Sequence, residues 1–237
     1  MEAKGVERPQ KGVKMNLKGF YNRDCMEAMK EIPDNYFELA IVDPPYGIGA
    51  DNKNNGKNSD AHERTSKAKL NTYKKTNWDN NTPDDNYFDE LKRVSKNQII
   101  WGVNYYNYNL KGGRIYWNKN VTMPTYSDGE LAYCSLTNSL KSFDYTWHGM
   151  IQEKMKNKEV RIHPTQKPVD LYKWLLTNYA EKGDKILDTH VGSASSLIAC
   201  YDLGFEYLGF ELDEDYYNEA LDRLTKHKSQ MNMFLDF

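Results

Sequence analysis

The sequence is poor in the features that make most sites easy to read. Its three cysteines, Cys25, Cys134 and Cys200, form no Cys-x-x-Cys pair and no cluster with histidine at metal-ligand spacing. That excludes a disulfide framework and a zinc site and leaves ordinary semi-buried thiols; no bound metal is expected. No run of about 18 apolar residues occurs, and Met1 to Met15 carries no signal-peptide apolar stretch, so no membrane contact is expected and the chain is placed in the cytoplasm. There is no Gly-x-x-x-x-Gly-Lys-Ser/Thr loop, which argues against phosphate processing. Charge of one sign is lacking too. With 32 basic against 34 acidic residues the formal net charge is -2, so any hold on a polyanion must come from a local patch.

What is present suits one α/β unit with elaborations. The 237 residues suffice for a sizeable core, 39% are hydrophobic, and the 18 tyrosines suit both a wet core edge and a stacking surface. Phe37 to Val42 reads as a buried strand stopped by Asp43-Pro44-Pro45-Tyr46, since prolines cannot continue a ladder. Pro83 to Val94 spaces Tyr87, Phe88, Leu91 and Val94 along one helical face, and Gln98 to Val103 is the next strand. Arg114 to Trp117 and Glu130 to Cys134 are further strand candidates. From Val169 the pattern alternates: helix to Tyr179, strand Lys185 to Leu187, helix Ser193 to Leu203, strand Tyr207 to Phe210, helix Asp213 to Leu224. Such alternation predicts a mainly parallel, twisted, doubly wound sheet with helices on both faces. The whole chain, 1–237, is read as a single domain with a flexible tail over about 1–15 and a basic loop insertion over about 51–81. That insertion carries Lys53, Lys57, Arg64, Lys67, Lys69, Lys74 and Lys75, with Asp51, Asp60 and Glu63 as the acidic residues between Asp51 and Lys75. Asp202 to Asp222, by contrast, is almost purely acidic.

Asp43 to Tyr46 stands where open α/β sheets bind ligands, beyond the carboxyl end of a strand. Its chemistry fits an aromatic amine, whose lone pair is delocalised into the ring. A carboxylate and a rigid backbone carbonyl accepting from the NH2 group would pull the nitrogen towards tetrahedral geometry and free the lone pair to attack a methyl sulfonium. Prolines fix the carbonyl direction, and the tyrosine offers a stacking face. Lys185 to Asp188, followed by Thr189 to Ser196, reads as a strand, a small-residue turn and a helix start whose N–H groups point at a ligand. Glu211 ends the next strand, placed to accept ribose hydroxyls, while Asp213 suits the N-cap of the following helix.

Together with His163-Pro164-Thr165-Gln166-Lys167-Pro168 and Asp188-Thr189-His190-Val191-Gly192-Ser193, the Asp43 to Tyr46 motif resembles the three signatures of the amino-group DNA methyltransferases. The order, catalytic motif first and cofactor motif last, resembles that family's β arrangement over about Asn22 to Arg223. The resemblance implies a Rossmann-like α/β fold dependent on S-adenosyl-L-methionine, with direct transfer to an exocyclic amine of a flipped-out base. Asp43, Pro44, Pro45 and Tyr46 would be catalytic. Asp24, Cys25, Asp43, Thr165, Lys167, Asp188, His190, Gly192, Ser193, Ser195, Phe210, Glu211 and Leu212 would hold the cofactor, Asp24 reading equally as a helix N-cap. The family usually has Gly-Ser-Gly where this chain has Gly192-Ser193-Ala194, the alanine being read as part of a first helical turn.

Double-stranded DNA is the implied substrate partner; a homodimer and a cognate restriction endonuclease are partners the resemblance admits. The basic loop is a candidate grip on phosphates and equally a solvated segment. Trp101, Tyr105, Tyr106 and Tyr108 either line a pocket for the extruded base or belong to the core. The region over about 111–161 is where the family would carry target recognition. Asp43 favours adenine N6, because serine is commoner there in cytosine-N4 enzymes of the resembled family. Cytosine N4 and a non-catalytic DNA-binding module on the same fold stand as alternatives.

Overall fold

The computed structural model describes residues 15–50, 76–121, 127–148 and 151–235. Strand β1 (Gly19–Asn22) leads into a short helix α1 (Cys25–Met29) and then β2 (Phe37–Val42). Helix α2 (Asp85–Val94) and strand β3 (Ser95–Trp101) follow. Five strands come next: β4 (Gly113–Asn118), β5 (Gly129–Cys134), β6 (Leu140–Asp144), β7 (Trp147–His148) and β8 (Ile151–Gln152). The chain then alternates through α3 (Val169–Tyr179), β9 (Lys185–Asp188), α4 (Ser195–Leu203), β10 (Glu206–Glu211) and α5 (Glu214–Leu235).

Eight strands form one sheet in the order β1-β10-β9-β2-β3-β5-β4-β6, while β7 and β8 pair separately. Pairing is parallel from β1 through β3 and between β4 and β6, and antiparallel where β5 meets β3 and β4. Period-two alternation sends neighbouring side chains of β2 to opposite layers. Leu39 and Ile41 pack with Leu171, Leu175 and Ala199 of α3 and α4, whereas Ala40 and Val42 pack with Met29 of α1 and Phe88 and Leu91 of α2. Helices therefore cover both faces of a mainly parallel sheet.

The layout fixes where a ligand binds. Chain progression runs outward from β2 to β3 on one side and from β9 to β10 on the other, so β2 and β9 flank a topological switch point. Their carboxyl ends, at Asp43 and Thr189, open a crevice of the kind in which α/β sheets bind ligands.

Several expected boundaries shift. The strand expected over 98–103 starts at Ser95 and ends at Trp101, because Gly102 at φ +76° turns the chain into a 3-10 turn at Val103–Tyr105. The helix expected from Ser193 starts at Ser195, since Ala194 takes a left-handed φ of +62°. The last helix runs on to Leu235. Among the described residues no helix is long and apolar enough to cross a membrane.

Candidate active site

At the switch point lies a cavity of about 510 Å³ walled by the turns after β1, β2, β9 and β10 and by the 163–168 turn. Each wall has a local reason for its shape. Asp24 caps α1, accepting from the Glu27 N–H at 3.0 Å. Gly192 holds φ +55°, a value glycine adopts without strain, and its N–H donates to Glu211 Oε2 at 2.9 Å. Glu211 Oε1 accepts from the Asp213 N–H at 3.0 Å, and Asp213 caps α5 through the N–H groups of Asp215 and Tyr216. The His163 ring packs on Tyr216 at 4.4 Å and on Trp78 at 5.2 Å. Burial, helped by the nearby Lys167 and Arg161, pushes its pKa down to about 3, so it is neutral. Burial likewise brings His190 to about 4.

Ten of the residues expected to hold a cofactor line this cavity: Asp24, Cys25, Asp43, Thr165, Lys167, His190, Gly192, Ser193, Glu211 and Leu212. Asp188, Ser195 and Phe210 do not. Asp188 points into the turn behind it, accepting from the His190 N–H at 3.0 Å and from the Ser196 hydroxyl. Burial raises its pKa to about 7. Ser195 is buried against Ser193 Oγ and the Arg223 guanidinium. Phe210 is wholly buried, because period two on β10 turns it into the core under α1 and α2 while Glu211 faces the opening. Cys25 borders the cavity, but burial, then the neighbouring Asp24 charge, pushes its thiol up to about 12, which makes it a poor nucleophile.

Asp43 sits on the cavity wall directly after β2. Its Oδ1 accepts from the Tyr46 hydroxyl at 2.7 Å, and its Oδ2 pairs with Lys167 Nζ at 2.6 Å. Lys167, expected to lie against the cofactor, is 3% exposed and also pairs with Glu130 Oε2 at 2.8 Å, while Glu130 Oε1 pairs with Lys119. Burial raises the Asp43 carboxyl above its ordinary range, against the pull of Lys167 and with the help of Glu130. For Glu130 burial acts in the same upward sense, but Lys119 and Lys167 outweigh it and hold the carboxyl below the usual range.

The rest of the motif is held as firmly. The Pro44 carbonyl accepts from the Tyr106 hydroxyl at 2.9 Å, and the Tyr46 ring stacks on Tyr105 at 4.9 Å. Buried Asp79 accepts from the N–H groups of Tyr46, Gly47 and Ala50 at 2.7, 2.9 and 2.7 Å. Pro45 lines the cofactor-sized cavity; Tyr46 lines a second one of about 250 Å³, with Tyr105, Tyr116, Asn104 and Glu130. Of the aromatic cluster, Trp101 belongs to the core at 0% exposure and Tyr108 stacks on Phe88 of α2, away from both cavities. Tyr106 lies between, behind Pro44.

Glu130, Lys119 and Asp79 were missed by sequence reading. The first two left a signal: Glu130, Ala132 and Cys134 share one face of β5, and Ile115 and Trp117 of β4 point the same way as Lys119 just beyond the strand end. A charge in register with fully buried residues needs a buried partner. The basic residues Lys53, Lys57, Arg64, Lys67, Lys69, Lys74 and Lys75 lie outside the described residues.

Residues 66–222 match the DNA methylase family of N6 and N4 enzymes. The chain belongs to that family. Its class is the S-adenosylmethionine-dependent DNA methyltransferases. It is 25% identical over 270 residues to the type II methyltransferase M.HinfI of Haemophilus influenzae, covering 93% of this chain and 73% of that one. With M2.DpnII of Streptococcus pneumoniae it shares 28% identity over 147 residues, covering 62% of this chain and 48% of the relative, so the chain spans about half of that protein. Among solved structures, the M1.HpyAVI–SAM complex aligns with a TM-score of 0.53 and 18% identity over 86% of this chain and 98% of that one. The cytosine-N4-specific PvuII DNA methyltransferase aligns with a TM-score of 0.53 and 12% identity over 92% and 93%. Both likenesses show a common fold.

The residues present fit the cofactor that this class requires. The larger cavity has the size of a small-molecule site, with the carboxylates of Asp24, Asp43 and Glu211 available to a cationic sulfonium nucleoside. Trp78 Nε1 is buried beside it without a hydrogen-bond partner among the described residues, a donor left for a ligand acceptor.

Proposed function

We propose that this DNA methyltransferase methylates the exocyclic N6 amino group of adenine in double-stranded DNA, in the cytoplasm, with Asp43 as the group that activates the amine. The observation that carries this reading is the position of Asp43: a half-buried carboxylate at the carboxyl end of β2, at the switch point, on the wall of the cofactor-sized cavity and hydrogen-bonded to Tyr46, which lines the smaller one. S-adenosylmethionine, when bound, supplies an electrophilic methyl group. Glu211 and Asp24 accept from its hydroxyl and amino donors, and the neutral His163 packs between Tyr216 and Trp78 as part of the wall.

The extruded base enters the smaller cavity, where Tyr105, 40% exposed and stacked on Tyr46, offers its outer ring face. Asp43 accepts a hydrogen bond from the amine. The Pro44 carbonyl, with one lone pair on Tyr106, has a second for the same NH2 group. Asp43, whose proton affinity burial raises, is suited to hold the proton that leaves the methylated nitrogen. Outside the site, the lysines and arginine of the 53–75 segment are proposed to meet DNA phosphates, and the β4 to β8 region to read the target.

Incubating the chain with labelled S-adenosylmethionine and plasmid DNA, then digesting to nucleosides, tests the reading. Label in N6-methyldeoxyadenosine is expected; label in N4-methyldeoxycytidine would overturn the base choice, and none in either would overturn the activity.

A further inference from the structure

Lys167 makes three contacts for its three N–H donors: Asp43 Oδ2 at 2.6 Å, Glu130 Oε2 at 2.8 Å and the Tyr46 hydroxyl at 3.0 Å. Its side chain is 2% exposed, so none of these donors falls back on bulk water. Behind it, Glu130 is pinned by Lys119 through its other oxygen. Charges therefore alternate in a row, Lys119, Glu130, Lys167, Asp43, that sums to zero, with the buried Lys167 among half-buried neighbours.

We propose that Lys167 and Glu130 are positioning residues for Asp43, the lysine being divided between two carboxylates so that Asp43 is aimed in the free protein yet able to release it to the target amine. This rests on the reading of Asp43 given under Proposed function. Were Lys167 paired with Asp43 alone, turning that carboxylate to the amine would strand a buried ammonium, which is costly. Glu130 lowers the penalty, because Lys167 keeps its contact with Glu130 Oε2 when Asp43 lets go. Glu130 lines the smaller cavity from β5 and not the larger one, so its loss alters the grip on Asp43 without removing a wall of the cofactor site.

The groups that face Asp43 fix the signs. Lys167 comes from the 163–168 turn, Glu130 from β5, Tyr46 from its own loop, Tyr172 from α3, Tyr87 from α2, Tyr106 from the segment after β3 and Asp188 from the end of β9. Among these Lys167 alone is cationic. Lys167→Met should make Asp43 titrate at higher pH, and Glu130→Gln, by leaving the whole lysine to Asp43, at lower pH. Opposite shifts are not expected of two residues that merely fill space.

The direct test is carbon-13 NMR titration of aspartate carboxyl carbons in the full chain, with the Asp43 signal assigned by its loss in Asp43→Asn. The midpoint should rise by at least about one pH unit in Lys167→Met and fall clearly in Glu130→Gln. Single-turnover methyl transfer should slow at least about tenfold in both, with Lys167→Arg recovering part of the loss because the charge remains. Midpoints that stay at the parent value, or move in the same direction, would overturn the proposal. Should Lys167→Met not fold, Glu130→Gln and Lys167→Arg decide, a fall in the first and an unmoved midpoint in the second being expected. A parent chain that transfers no methyl yet shows opposite shifts defeats the functional reading alone; one that methylates DNA while the midpoints stay put defeats the positioning role alone.

Discussion

Ala194 occupies the place where the resembled family has its second glycine, and it does so at φ +62° and 0% exposure. A left-handed conformation costs an alanine roughly 1 to 2 kcal/mol. The expectation of an unstrained first-turn alanine is therefore corrected: the residue precedes α4 and forms the bend that swings Ser193 towards the cavity. Ala194→Gly should relieve that strain, offset by about 0.4 to 1 kcal/mol of extra unfolded-state entropy, for a net gain between zero and about 1.6 kcal/mol. Urea unfolding measures it; a loss of more than about 1 kcal/mol would contradict the strain. At this scale the legible residues were those whose roles are local. Asp213 as a cap could be read because its partners Asp215 and Tyr216 lie two and three positions away, and Glu211 because it ends a strand, although it also accepts from the Gly192 N–H 19 positions away. Lys167 could not, since its partners Asp43 and Glu130 lie 124 and 37 positions away and meet it only after the sheet forms.

Among the elements, β2, α2 and α3 stood clear in the sequence because an apolar run or a one-sided stripe marks them and prolines or caps end them. Strands β6, β7 and β8 did not: β6 is an edge strand with mostly exposed side chains, and the other two are two residues each. Strand β1, an edge strand of four residues with none fully buried, carries no apolar run to mark it, unlike the equally short β9. The loop after β2 owes its shape to Asp79, which arrives from 33 residues downstream and takes three backbone N–H groups between Tyr46 and Ala50. Asp79→Ala removes the buried acceptor that three part-buried backbone donors share, which should cost about 1 to 3 kcal/mol of stability. Loosening the Tyr46 backbone should also slow single-turnover transfer while cofactor affinity changes little. Thermal unfolding beside transfer kinetics checks both; a variant as stable and as fast as the parent would show that the clamp is unimportant.

For the molecule as a whole, alternation of strand and helix was enough to expect a doubly wound sheet, and motif order was enough to place Asp43 and the Asp188 turn together. The strand order that makes β2 and β9 neighbours is a tertiary outcome that no local pattern encodes. That adjacency brings a carboxylate at one strand end to a nucleoside-sized cavity at the other, and the account of activity depends on it. Asp43→Ala tests it most directly. Lys167 keeps Glu130 as partner in this variant, so the fold and most cofactor affinity should persist. The hydrogen bond to the amine strengthens as positive charge develops on nitrogen, so its loss should fall on the chemical step rather than on binding. Single-turnover methyl transfer to adenine-containing duplex, run beside equilibrium binding of S-adenosylmethionine and DNA, should fall by two to three orders of magnitude, about 3 to 4 kcal/mol, with binding nearly unchanged. Transfer by Asp43→Ala at close to the parent rate would contradict the account.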